Sequence, residues 1–489
     1  MGKSNSSLVT GVTFVATLGG LLFGYDTAVI SGAVSSIDAN FIDPQHLSET
    51  ARSSLSGWTV SSALLGCIIG AIVAGWVSKA IGRKGGMLIA GALFLISAAG
   101  SAYPEFGLGP IGGMGPTALT PFILYRILCG IGVGIASMLS PLYIAEIAPS
   151  QIRGRLVSFN QLSIVLGMLL VYFVNAWIAE QGSEAWIHST GWRLMLLSEA
   201  VPAVLFMILL TFVPDTPRWY VMKGRLEDAR SVLSRLVGDA EARTTLVEIQ
   251  ESLTVSDNPA GVSLLAFGPL VIVAGILLSA FQQFVGINAV LYYAPLMFKN
   301  LGASTDSAMW QTVIVGLANV LFTVVAILTV DRLGRKPLLI IGGLVMGVAM
   351  LTLGFQFKAN AEGTGPLIAA ILYIAGFALS WGPVTWVLLA EMFPNSIKNR
   401  AMAIAVAAQW IANLFVSWSF KVLIGNSALN ALFNHGFPYW MYGVMSFLAA
   451  GFVYLYVPET KRRTLEEIQN LWTGHEAAAT PAVKQPAAS

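Results

Sequence analysis

Apolar runs long enough to cross a bilayer alternate along this chain with short polar breaks. A spanning helix needs about 20 predominantly apolar residues. The pattern supplies twelve such runs. Six lie near 10–33, 57–79, 86–103, 119–143, 156–179 and 192–213, and six near 265–298, 308–329, 338–357, 366–391, 401–424 and 437–457. The stretch 215–260 breaks the rhythm. Glu227, Asp228, Arg230, Arg235, Glu241, Arg243, Glu248 and Glu251 charge it, while Val232, Leu233, Leu236, Leu246 and Ile249 recur at helical spacing. That predicts short amphipathic helices at a membrane face.

Composition agrees. The 489 residues are 56% hydrophobic and 11% charged, whereas soluble domains average roughly 25% charged. The reading is an all-α membrane protein. A net charge of +2 gives no reason to expect a nucleic-acid partner. Cys67 and Cys129 both fall in apolar spans, so neither a disulfide framework nor a Cys/His metal site is expected. The first apolar run continues into a full span and is expected to stay in the protein.

Basic residues sort to one side of this topology. Lys79, Arg83, Lys84, Arg153, Arg155, Arg332, Arg335, Lys336, Lys398, Arg400, Lys461, Arg462 and Arg463 share a face; the opposite short loops hold mainly Arg52, Lys299 and Lys358. The positive-inside rule then puts both termini in the cytoplasm.

The loops also repeat. Gly82-Arg83-Lys84 recurs as Gly334-Arg335-Lys336, Glu146-Ile147-Ala148-Pro149 as Glu391-Met392-Phe393-Pro394, and Pro214-Asp215-Thr216 as Pro458-Glu459-Thr460. Three matches at nearly one offset predict duplicated six-helix halves: 1–214 and 263–460, joined by a cytoplasmic helical linker at 215–262 and followed by a cytoplasmic tail at 461–489. Repeats of this parallel kind place a substrate site between the halves, near mid-membrane.

Two sets of residues suggest chemistry. The stretch 281–293 carries Gln282, Gln283, Asn288, Tyr292, Tyr293 and Gly286 inside an apolar span. Amides offer donors and acceptors without charge, which suits a neutral, hydroxyl-rich ligand; helix-to-helix glue is the alternative. Asp26 lies deep in the first span, where a carboxylate costs roughly 2.5–3.5 kcal/mol on insertion scales and is functional by default. Arg126, in the fourth span, is its obvious cation, and Glu199 in the sixth is a second embedded acid, a possible relay. Proton coupling and a permanent Asp26–Arg126 bridge both fit. The loop charges Arg83, Glu146, Arg153, Asp331, Arg335, Glu391 and Arg400 form a candidate gate that would bridge the halves when the cytoplasmic side is closed; ordinary topogenic surface charge is the alternative.

The repeated loop motifs resemble the sugar porter family of the major facilitator superfamily. So do Leu18-Gly19-Gly20-Leu21-Leu22-Phe23-Gly24-Tyr25-Asp26, Ser158-Phe159-Asn160-Gln161, the 281–293 stretch and Ser380-Trp381-Gly382-Pro383-Val384-Thr385-Trp386. The resemblance runs from about residue 8 to about residue 472. It implies proton-coupled uptake of a monosaccharide, D-xylose first, by alternating access. Facilitative transport, proton symport of glucose or another hexose or polyol, and a non-transporting sugar sensor are the alternatives. It implies that Gln161, Gln282, Gln283, Asn288, Asn319, Trp386 and Gln409 bind sugar, and that Phe23, Met168, Tyr292, Tyr293, Gly382 and Trp410 shape the pocket. Met168 stands where the pattern has a glutamine, Lys398 where it has arginine, and Ser78 opposite the acidic Asp331.

No nucleophile–base or metal constellation suggests an enzyme, and no phosphate-binding loop suggests direct use of ATP, so no cofactor is expected beyond the proton gradient. Gly130-Ile131-Gly132-Val133-Gly134 follows no strand, so close helix packing is its expected role. Sugar, proton and membrane lipid are the expected partners, with no obligate protein partner. A cell membrane, bacterial and inner, is the expected location.

Overall fold

The computed structural model describes residues 6–149, 152–256, 263–264, 267–361, 363–394 and 397–461. The first helices are α1 (Ser6–Ile37), α2 (Glu49–Ala102), α3 (Leu119–Ile147), α4 (Arg153–Ala179) and the span α5 (Glu184–Thr211). Three short helices follow, α6 (Pro217–Met222), α7 (Leu226–Val237) and α8 (Asp239–Ser256). The chain then returns to long apolar helices: α9 (Pro269–Phe284), α10 (Ile287–Asn300), α11 (Thr305–Leu333), α12 (Arg335–Lys358), α13 (Gly365–Leu379), α14 (Pro383–Met392) and α15 (Lys398–Ile424). It closes with α16 (Ser427–Phe433) and α17 (Phe437–Tyr456).

Among the described residues, ten helices are long and apolar enough to cross a membrane. One of them, α2, holds two spans divided at the non-helical Gly82, and α17 adds another, giving twelve. Side-chain caps start several of these helices where loops end: Ser48 accepts from Ala51, Ser304 from Ser307 and Thr216 from Trp219. The first span runs past the predicted limit at residue 33, into a π-turn at Asp38–Ile42. Ser35, Ser36 and Asp38 mask it in the sequence, but Phe41 is fully buried there against the rings of Phe122 and Trp192. In the short helices, Val232, Leu233 and Leu236 are buried, as their spacing predicts.

Helices in lipid gain no hydrophobic drive from packing on one another, so close approach depends on small residues. A Cβ at Gly66 would sit 2.0 Å from the Ile127 carbonyl oxygen, and one at Gly130 would sit 1.8 Å from that of Ala63. Gly70 and Gly134 extend this α2–α3 seam, which is the packing role expected of the glycine run. Gly24 against Ile164 and Gly167 against Leu21 make the matching α1–α4 seam.

At the basic end each repeated motif forms the same clasp. The Asp215 carboxylate accepts from the Arg83 and Lys84 amides at 3.1 and 3.2 Å. Glu459 accepts from Arg335 and Lys336 at 3.1 and 3.0 Å. A carboxylate at a helix N-terminus meets unpaired amides and the positive end of the dipole. Burial nevertheless pushes the Asp215 carboxyl above its ordinary range, against those amides. Arg83 forks onto Glu146 at 2.9 and 2.7 Å, and Arg335 onto Glu391 at 3.1 and 2.9 Å. Thr216 and Thr460 donate to those two glutamates at 2.6 and 2.5 Å.

The far end is closed by contacts between early and late helices. Lys421 of α15 pairs with Asp38 at 2.8 Å, and Ser56 donates to the same carboxylate at 2.5 Å. Ser427 donates its backbone amide to Glu49, and Trp418 its indole N–H to Ser54 at 3.3 Å. Across the mouth, Lys299 pairs with Glu184 at 2.8 Å and Trp310 donates to Glu180 at 2.6 Å. A buried ion pair braces the neighbouring loop: Arg193 forks onto Glu105 at 2.9 and 2.7 Å and lies over the Trp192 ring. Burial alone would raise the Glu105 carboxyl, but Arg193 and the backbone donors hold it below its ordinary range.

Candidate functional site

Asp26, Arg126 and Glu199 come together in the interior, each with no more than 2% of its surface exposed. Arg126 Nη1 donates to Asp26 Oδ1 at 2.5 Å. Such a pair offsets the large desolvation cost of either charge alone. Arg126 Nε has no hydrogen-bond partner among the described residues. Glu199 stands at the N-cap position of the second part of α5, after a turn at Ser198, and its side chain makes no capping bond. The Cys129 thiol, one turn along α3 from Arg126, donates to Asp26 Oδ1 at 3.0 Å and lies 3.7 Å from Glu199 Oε1. A cavity opens beside this cluster, lined by Asp26, Arg126, Cys67 and the rings of Phe23, Tyr292 and Trp410. Phe23 and Trp410 stand 5.9 Å apart, centroid to centroid.

The stretch 281–293 is broken in the middle. Gly286 has φ +92°, and a Cβ there would meet the Tyr442 ring at 2.5 Å, so only glycine fits. The break frees backbone carbonyls in an apolar setting, where each needs a partner. Tyr373 donates to the Val285 carbonyl at 2.9 Å. Pro295 has no N–H to offer the Leu291 carbonyl, and Tyr172 of α4 donates to it instead, at 2.9 Å. Tyr293 donates to Ser417 at 3.2 Å.

The amides form one chain. Asn288 donates to Gln283 at 2.6 Å, Gln283 to Gln282 at 2.7 Å and Gln409 to Gln282 at 2.6 Å. Gln282 donates onward to the Trp381 carbonyl, in the break between α13 and α14, at 3.3 Å. Gly382 caps α14 in that break. Phe23, Tyr292 and Trp410 line the cavity, whereas these four amides do not. Asn319 instead donates to the Met168 sulfur at 3.9 Å. Gln161 on α4 and Trp386 on α14 are half-buried.

Two of the loop arginines pair inside their own repeat. Arg83 meets Glu146 and Arg335 meets Glu391 within each repeat, because the Asp215 and Glu459 clasps hold the arginines beside their own glutamates. Arg400 is exposed in the first turn of α15. The side chains of Arg153 and Asp331 lie outside the described residues. Sequence reasoning missed Cys129, whose signal was its position three residues after Arg126. It also missed Asp38 and Lys421, whose pairing leaves no local signal.

The chain matches the family model described as "Sugar (and other) transporter" over residues 12–472. It is 54% identical over 477 residues to the D-xylose-proton symporter of Escherichia coli K12, covering 96% of each chain. It is 46% identical over 470 residues to a glucose facilitated diffusion protein of Zymomonas mobilis, covering 96% of this chain and 98% of that one. Among solved structures it is similar to the inward-open xylose transporter XylE of E. coli, with a TM-score of 0.85 and 51% identity over 95% of this chain and all of that one. The same transporter bound to 6-bromo-6-deoxy-D-glucose gives a TM-score of 0.81 and 54% identity, covering 96% of this chain and all of that one. With twelve membrane spans and a family match across nearly its whole length, the chain belongs to the sugar transporter family of the major facilitator superfamily.

Proposed function

We propose that this protein takes up a monosaccharide, D-xylose first, together with a proton by alternating access. The observation that carries the reading is the buried Asp26–Arg126 pair beside a ring-lined cavity. Two carboxyls, Asp26 and Glu199, share one guanidinium, so a single proton changes the balance of the whole cluster. Protonation of Asp26 removes the charge that Arg126 faces and frees the guanidinium to re-pair. Rings pack on sugar C–H faces while amides exchange hydrogen bonds with its hydroxyls. The 54% identity to a D-xylose-proton symporter supports both the sugar and the coupling.

In this reading the Gly-Arg-Lys end and both termini face the cytoplasm of a bacterial cell, and two six-helix halves, 1–214 and 263–460, move about the 215–262 linker. The closed far end then corresponds to an inward-facing state. Facilitated diffusion is the second reading, favoured by the Zymomonas relative. Alkalinisation of an unbuffered cell suspension on adding sugar tests both, run with a panel of pentoses and hexoses. Alkalinisation with xylose is expected; transport of xylose without a pH change supports facilitated diffusion.

A further inference from the structure

We propose that Cys129 is a positioning residue of the proton site, its thiol joining Asp26 and Glu199 into one proton-sharing unit. The inference deepens the proton-coupled reading and rests on it. Cys129 is fully buried. No hydrogen bond joins Asp26 directly to Glu199; the thiol stands between them, 3.0 Å from Asp26 Oδ1 and 3.7 Å and 4.0 Å from the two oxygens of Glu199.

A thiol has one proton to donate and a sulfur that accepts weakly. At these distances the proton goes to Asp26, on the oxygen that Arg126 already holds. That oxygen is therefore fixed by two donors from one helix face, Arg126 and Cys129, three residues apart. The sulfur's other side is left to the Glu199 carboxyl, which can donate to it whenever that carboxyl carries a proton. In that state Glu199 O–H, Cys129 S–H and the Asp26 carboxylate form a continuous donor chain. When Asp26 takes up a proton the chain loses its acceptor end, and the thiol can turn about its Cβ–Sγ bond toward Glu199. The thiol itself neither gains nor loses charge.

Other groups face the same cluster. Cys67 from α2 and Tyr292 from α10 line the adjoining cavity. Tyr25, next to Asp26, is tied up by a 2.7 Å hydrogen bond to Ser198. None of the three has a hydrogen bond to Asp26 or Glu199, so the linking role falls to Cys129.

The test is the pH dependence of xylose accumulation in whole cells for wild type, Cys129→Ala and Cys129→Ser. Equilibrium exchange of labelled xylose, measured alongside, corrects for the amount of folded protein. Losing one hydrogen-bond donor to a carboxylate is expected to move the midpoint of accumulation toward higher pH by about half a unit to one unit in the alanine variant. The serine variant, which keeps an O–H donor, is expected to recover at least half of that shift. Cys129→Gly removes the same donor and replaces the alanine variant should that fail to fold. An unmoved midpoint overturns the proposal, and so does a serine variant that behaves like alanine, since packing alone would produce that result. Accumulation in wild-type cells that survives an uncoupler overturns the coupled reading itself, a result distinguishable from the other two.

Discussion

Asp38 and Lys421 are separated by 383 residues in the chain and by 2.8 Å in the structure. The pair ties α15 to the turn after α1, and each side chain is largely shielded, at 12% and 14% exposure. Lys421 also lies over the Tyr293 ring, so the clasp touches the broken 281–293 segment. Partly shielded pairs of this kind are worth on the order of 1 kcal/mol. Lys421→Met should therefore shift the protein toward opening at this end about fivefold. The rate at which a membrane-impermeant maleimide labels a cysteine introduced by Ser54→Cys reports the shift, measured in a Cys67→Ala background because Cys67 lines the central cavity; native Cys129 is buried. Swapping the charges, Asp38→Lys with Lys421→Asp, should restore the slow rate. Equal labelling in all variants would reduce the pair to a surface contact.

Asp26→Asn should abolish accumulation against a gradient while leaving xylose binding measurable. The amide imitates the neutral acid but cannot release a proton. Accumulation at the wild-type level in this variant would leave the Asp26–Arg126 pair a purely structural bridge.

Gln282 is the branch point of the amide chain, accepting from both Gln283 and Gln409. Gln282→Ala strands two donors, whereas Gln283→Ala breaks one link on each side. Each lost polar partner costs about 1–3 kcal/mol, so either variant should bind xylose roughly 5- to 150-fold more weakly, Gln282→Ala the more so. Calorimetry on detergent-purified protein, paired with a melting curve, checks this. Normal affinity with a lowered melting temperature in both would make these amides helix glue.

The Arg193–Glu105 pair should make the far-end loop sensitive to acid. Glu105 is held below its ordinary value of 4.5. A carboxyl depressed in the folded protein stabilises it above the unfolded value and loses that contribution as pH falls through the folded one. Melting temperature should thus drop as pH falls below about 4.5, more steeply in wild type than in Glu105→Gln. At neutral pH Glu105→Gln should melt lower, because Arg193 keeps its charge in a buried place. Parallel curves for the two proteins would contradict this.

Much of this was legible in the sequence because membrane solvent is severe. Apolar run length gave the spans, and Asp26, Arg126 and Glu199 stood out because charge is rare at that depth. The repeated Gly-Arg-Lys, Glu and Asp-Thr or Glu-Thr motifs pointed to a duplicated unit, which turned out to be one hydrogen-bonded clasp built twice. Its pairing direction was not legible: nothing local to Arg83 says whether Glu146 or a residue of the other half will reach it. Asp38 and Lys421 read as ordinary end-of-span charges until the fold brings them together. The amides were marked by polarity, but not their bonding to one another, which depends on the helix breaks at Gly286 and at 380–382.

That self-bonded amide chain bears on speed. In the proposed reading an incoming sugar meets amide donors that already hold one another, so part of what each hydroxyl contributes goes to replacing an internal hydrogen bond. That lowers affinity and shortens residence, since differences in affinity among related complexes lie mostly in the off-rate. In the proposed reading, the Gln409, Gln283 and Asn288 donors have partners waiting after the sugar leaves, so the empty protein returns with those donors paired. A tighter pocket would hold its cargo longer and deliver less of it per second.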